Sequence, residues 1–273
     1  MDTSEIDYLR GGKKPPTTAS SLLVSSSKYL NSARMRDIVA HEMLRKYGDD
    51  LPPAYLIPEA IGAFAEVADQ DAALALFERE KTLKPEFRDW LEARYISRYE
   101  AEALAHCKPG TLGAEIHAFI TRSGFDIEFM FKGEPKDDHA YFNKRYVQGH
   151  DIEHMVTGFG TDPMGEFALI LATAESYYRY FSNELAGELT RFNMFLLSSG
   201  IMRSSLHYPK TMPLFFEAMT LGVQMGRQMK KPLVLVRWED YVEWPLAEVR
   251  ADLNIVGSPE KGAWDWSYEE MRG

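Results

Sequence analysis

The chain has 273 residues, 45% of them hydrophobic, which is enough to bury a core in one large domain or two small ones. Its net charge of −10 argues against a phosphate-binding face, so no nucleic-acid partner is expected. A single cysteine, Cys107, excludes an internal disulfide framework and fits a reducing compartment.

Residues 1–31 are rich in Ser, Thr, Pro, Gly and Lys and predict a flexible arm. Acids at Asp2, Glu5 and Asp7 do not suit a secretory signal. Helical spacing begins near Ser32 and runs through 35–47 on Ile38, Val39, Met43 and Leu44, until Pro52 and Pro53 break it. Short helices are predicted over 61–67 and 72–81, the second after Asp71 as a cap. Residues 85–107 read as one long helix or a pair. Pro109-Gly110-Thr111 makes a turn, 112–121 is helical, and 132–138 is a charged connector. The next helix, 140–157, ends in the Gly-rich stretch 158–163. Helices follow over 166–181, 184–197, a Met-rich 213–230, and 245–253. Only 233–236 resembles a strand. The fold class is therefore all-α: a single multi-helix domain over 32–257, with a polar and aromatic tail over 258–273. The central apolar run, 167–174, is far shorter than the ~20 residues of a membrane helix. The chain reads as soluble and cytoplasmic, with room for peripheral contact with the inner membrane and for homo-oligomers.

The chemistry centres on His150-Asp151-Ile152-Glu153-His154, followed after eleven residues by Glu166. Positions i and i+4 share one face of a helix, so two imidazoles there reach a single ion. Asp151 stands where zinc proteases carry a glutamate, so protease chemistry is not implied. The loop holding Gly158, Gly160, Pro163 and Gly165 can turn the chain back and bring Glu166 to the same ion. Zinc and ferrous iron both accept such a set. Residue type and spacing alone leave alternatives open: Asp151 as a solvated or salt-bridged charge, and Glu166 as a plain helix-start acid.

The string His150-Asp151-x-x-His154-x11-Glu166 resembles the signature of the Coq-four family of ubiquinone (coenzyme Q) biosynthesis. Four other stretches agree with it: Lys108 to Gly113, Tyr141 with Arg145-Tyr146, Gly165-Glu166, and Trp238-Glu239 with Pro245-Leu246 and Glu248-Val249-Arg250. The resemblance covers roughly residues 45–256. The resemblance implies an all-helical fold with a groove for a polyprenyl lipid. It implies that His150, Asp151, His154 and Glu166 hold a divalent metal, zinc first and iron second. It also implies removal of the carboxylate at ring carbon 1 of a polyprenyl hydroxybenzoate and hydroxylation there, with other ubiquinone enzymes as partners. The chain departs from the family pattern at Val147, where a second arginine is usual, and in the apolar run 167–174, where a lysine is common. These departures leave room for a paralogue acting on another aromatic molecule. A lipid-binding scaffold with a structural metal is the non-catalytic alternative.

Arg145 lies on another side of the helix from His150 and is a candidate contact for an anionic substrate, or a structural ion pair. Glu153 reads as exposed or paired. His106, His117, His139 and His207 show no ligand spacing, and Cys107 has no evident partner. Met194, Met202, Met212, Met219, Met225 and Met229 suit either a flexible lipid tail or ordinary core. Gly222 and Gly226 let a partner helix or ligand approach closely.

Overall fold

The computed structural model describes residues 27–46, 56–97, 99–123, 131 and 133–272. Most of the predicted arm and the Pro52-Pro53 break lie outside them. Short polar side chains open five of the helices by accepting first-turn N–H groups that have no helical partner. Ser27 accepts from Leu30, Ser32 from Met35, Asp69 from Ala72, Asp137 from Ala140, and Asp162 from both Met164 and Gly165.

Thirteen α-helices result among the described residues. The first seven are α1 (Lys28–Asn31), α2 (Ala33–Leu44), α3 (Ile57–Val67), α4 (Gln70–Leu83), α5 (Pro85–Ala93), α6 (Ala101–Leu104) and α7 (Leu112–Ser123). Then come α8 (Asp138–Thr157), α9 (Pro163–Tyr180), α10 (Asn183–His207), α11 (Met212–Gln228), α12 (Leu246–Leu253) and α13 (Asp265–Arg272). No helix of the described residues is long and apolar enough to cross a membrane.

The all-α expectation holds, as does the pair reading of 85–107, which divides into α5 and α6 where Arg94 turns left-handed at φ 47°. Three details differ. The segment 233–236 is a buried 3-10 turn, Leu233–Leu235, and not a strand. Its apolar residues fill the interior without a ladder to join; the described residues contain only an isolated bridge, Thr111 to Pro245. Helix α10 runs to His207, ten residues past the predicted end at 197. Ser198 and Ser199 look like breakers, but their hydroxyls donate to the carbonyls of Met194 and Phe195 one turn back. Finally, the C-terminal stretch beyond 258 includes α13 and buries Trp264 and Met271 in the main core.

Helix α9 runs through the middle of the molecule. Its apolar run 167–174 meets α11 at unusually close range. A Cβ on Gly222 would overlap the carbonyl oxygen of Ala168, and one on Gly226 that of Ala172. The close approach that these glycines permit is therefore used within the chain. Met225 of the same helix and Met229 just past its end are buried core, while Met202 on α10 is exposed. A second cluster of Phe77, Phe87, Phe142, Tyr177 and Phe181 ties α4 and α5 to α8 and α9. Each fully buried aromatic of this kind stabilises the fold by roughly 2–3 kcal/mol. Helix α2 is fastened to α10 by the buried pair of Arg203 with Glu42, whose carbonyl also accepts from Arg203 Nε at 2.8 Å.

Candidate metal centre

Helix α8 is buried on nearly every side. Tyr141, Phe142, Arg145, Gln148, Ile152, Glu153, His154 and Val156 are all inside. His150 and His154 lie one turn apart on it, their rings edge to face with centroids 4.7 Å from each other. Gly158 closes the helix in the left-handed conformation, at φ 76°. Arg250 of α12 donates from Nε to Val156 O at 2.8 Å and from Nη2 to Met155 O at 3.2 Å, satisfying the last turn.

The chain then doubles back. Gly165 crosses so close to Gly160 that any Cβ would overlap the Gly160 carbonyl, so only glycine fits there. Asp162 caps α9, and Glu166 falls in its first turn, facing α8. His150 Nε2 is 3.4 Å from Glu166 Oε2, and His154 Nε2 is 3.2 Å from Glu166 Oε1. The two Nε2 atoms are 3.2 Å apart. Ligands about 2.0–2.1 Å from a tetrahedral ion stand roughly 3.3 Å from one another, so these three spacings suit one ion.

His154 Nδ1 lies 3.0 Å from the Phe159 carbonyl and donates to it, which points the Nε2 lone pair at the cluster. Phe159 is itself held by Trp264, whose ring stacks on it at 5.9 Å and 15°. His150 Nδ1 is buried and has no hydrogen-bond partner among the described residues. The open side of the centre is marked by His150 and Glu166, whose side chains are 28% and 38% exposed.

Charge follows the geometry. Burial pushes the His150 imidazole down, but the Glu166 carboxylate, its hydrogen bond and the charges of Asp151 and Glu153 lift it to about 9. Burial pushes the Glu166 carboxyl up, yet His150 and His154 beside it hold it well below the usual range. The structure thus brings His150, His154 and Glu166 together. Asp151, one residue along α8, is outside that trio. Burial raises its carboxyl, opposed by the charges of His150 and His154.

Arg145 is placed elsewhere. Its guanidinium donates to Ser97 Oγ and, at 2.9 Å, to Val236 O, and it lies over the Tyr95 ring. Glu153, read from the sequence as exposed or paired, lies inside. It is 1% exposed, and burial raises its carboxyl to about 7. Its charge is felt at Tyr146 and Tyr177, and Tyr146 accepts from Asn193 at 3.0 Å. This polar group behind His150 had no signal in the periodicity, because a helix buried all round shows no apolar face.

An all-helical chain with two imidazoles and a carboxylate gathered across one helix–loop–helix turn defines a class of candidate metalloproteins. Comparison with known proteins supplies the family. Residues 59–259 match the family described as Coenzyme Q (ubiquinone) biosynthesis protein Coq4, and the chain belongs to it. The mitochondrial ubiquinone biosynthesis protein COQ4 of Yarrowia lipolytica is 24% identical over 164 residues. That match covers 59% of this chain and 57% of the Yarrowia protein's length. A crystal structure of a Nostoc punctiforme protein, provisionally named for ubiquinone biosynthesis, shares the fold at TM-score 0.60 and 19% identity. It covers 84% of this chain and 96% of its own.

Proposed function

We propose that this chain is a metal-dependent enzyme of ubiquinone biosynthesis acting on a polyprenyl hydroxybenzoate. The observation that supports this is the spacing of His150, His154 and Glu166, whose ligand atoms lie within 4.8 Å of one another and open to solvent on one side. The donor set fits a divalent ion: two neutral nitrogens and a carboxylate suit zinc or ferrous iron. Asp151 is the adjacent second carboxylate. A bound ion of this kind supplies Lewis acidity toward a carboxylate or phenolate oxygen.

The chain's own residues do the rest. His154 is held in one tautomer by Phe159, and Glu166 is held by the Gly160–Gly165 crossing, so the ligands are ordered before anything binds. The buried face of α8 behind His150 keeps water from one side of the centre. The proposed overall change breaks the bond from ring carbon 1 to the carboxylate, releases carbon dioxide, and places one oxygen atom on that carbon. The oxygen comes from dioxygen. Its second atom is reduced to water by two electrons and two protons from an external donor of the reduced flavin or nicotinamide class, because a zinc centre does no redox chemistry.

The test is turnover of a prenylated hydroxybenzoate by the purified full chain, with metal content measured on the same sample. Bound metal with turnover that His150→Ala and His154→Ala abolish supports the reading. Bound metal without turnover favours the scaffold role, and activity unchanged in both variants overturns the proposal.

A further inference from the structure

A second group of metal-binding side chains converges away from this centre. His106 and Cys107 follow α6, Glu243 precedes α12, and their ligand atoms lie within 4.8 Å of one another. His106 Nε2 is 2.6 Å from Glu243 Oε1, and Cys107 Sγ is 3.7 Å from the same oxygen. We propose that His106, Cys107 and Glu243 form a separate site for a zinc-like divalent cation, clasping the α6–α7 turn to the segment that leads into α12.

The two segments are zipped together around this point. Gly113 N donates to Val242 O at 2.8 Å and Leu112 N to Trp244 O at 3.0 Å, on either side of Glu243. Leu246 N donates to Gly110 O at 2.9 Å. The backbone pairing therefore holds residue 243 beside the His106-Cys107 pair, within reach of the Glu243 side chain. Cys107 Sγ rests against Gly113, which fixes its direction.

The donor chemistry differs from that of the first centre. A sulfur, a nitrogen and an oxygen suit zinc and other borderline-soft ions. Sulfur at about 2.3 Å and oxygen at about 2.0–2.2 Å from one ion stand roughly 3.6 Å apart, close to the spacing seen. The His106–Glu243 contact is of hydrogen-bond length, and an ion would open it by several tenths of an ångström. Both side chains are more than half exposed and free to move by that amount. Without a cation, burial and the Glu243 charge push the Cys107 thiol up, whereas a bound cation would favour the thiolate. Three protein ligands leave a fourth position for water or a small anion.

Cys107 is the single cysteine of the chain, which makes the test unambiguous. The full-length protein is titrated with cobalt(II), as wild type and as the His150→Ala/His154→Ala double variant. Sulfur-to-cobalt charge-transfer absorption in the near ultraviolet is expected in both, because no other residue can give it. In parallel, excess zinc should slow the reaction of the thiol with a disulfide reagent about tenfold or more, since the metal occupies the nucleophilic sulfur. His106→Ala and Glu243→Gln, both surface changes with folding checked by circular dichroism, should lose that protection. Absence of the charge-transfer band overturns the proposal. So does zinc protection that is as strong in both surface variants as in wild type, since it would mean a thiol binding zinc alone. The readout follows Cys107 in the wild type whatever becomes of the first centre, so the two readings fail separately.

Discussion

Zinc binding at the first centre should be driven by pH, with His150 setting the slope. In the metal-free protein its imidazole is lifted to about 9, the neighbouring Glu166, Asp151 and Glu153 charges outweighing the opposing effect of burial. A ligating imidazole must be neutral, so the ion has to displace that proton. Near pH 7, two units lower, about one molecule in a hundred has Nε2 free, which costs about 3 kcal/mol at 1.36 kcal/mol per unit. Zinc affinity should therefore rise about tenfold between about pH 7 and pH 8, with about one proton released per ion. The stability of the metal-free protein runs the opposite way. A histidine raised from 6.5 to about 9 stabilises the fold fully below about 6.5, and that contribution, about 3 kcal/mol, is lost as pH climbs through 9. Calorimetric titration in two buffers of different ionisation enthalpy counts the proton directly. Glu166→Gln should weaken zinc and also flatten the pH slope, because it removes the charge that raises His150. A proton count near zero at pH 7, with affinity flat up to pH 8, would refute the reasoning.

Four other outcomes follow from the same contacts. Asp151→Asn should lower zinc affinity about 10–100-fold if Asp151 acts from beside the ligands, and complete loss of metal would place it among them. Arg145→Met should destabilise the protein by roughly 2–3 kcal/mol in a urea melt, because Val236 O and Ser97 lose a buried charged donor. A raised KM with unchanged stability would return Arg145 to the substrate. Trp264→Ala should remove roughly 3–5 kcal/mol of stability and also weaken zinc, because its ring backs Phe159, whose carbonyl orients His154. Unchanged zinc affinity in the destabilised variant would cut that link. Gly222→Ala should cost roughly 1–3 kcal/mol by pushing α11 off Ala168, and a neutral result would mean the two helices are not held at this distance.

Much of this could be read from the chain because the relevant signals are local. Helix α8 was placed to within two residues at its start, and its end was marked by Gly158; the Asp137 cap was read as part of the charged connector. The His150–His154 pair needed only helix periodicity, and Glu166 needed only the density of glycine after α8. The full length of α10 was hidden because Ser198-Ser199-Gly200 reads as a stop, whereas the packing of Gly200 against the Phe167 ring makes it a contact. Glu153 was misplaced because burial on every face leaves no polar side to detect. The His106, Cys107 and Glu243 cluster was invisible for a different reason. Cys107 and Glu243 are 136 positions apart, and only the backbone pairing of Gly110 to Gly113 with 242–246 joins them. The resemblance marked both stretches as familiar without saying that they touch.

The placement of the centre between two helix ends bears on the one ligand in question. His154 lies in the last turn of α8, where the helix dipole is negative, and Glu166 lies in the first turn of α9, where it is positive. The two ends act in opposite senses on a cation, so the dipoles contribute little net attraction and the formal charges decide. The trio of His150, His154 and Glu166 carries one negative charge against the two positive charges of the ion. Asp151, half-buried and close enough to be affected by both imidazoles, would supply the second. Its carboxyl is raised in the metal-free protein by burial, and a divalent ion beside it would reverse that balance. A carboxylate at position 151 would therefore neutralise the remaining charge of a bound divalent ion, whether or not its oxygen reaches that ion. Such a role suits an acid next to His150 on a helix where simple periodicity points its side chain away.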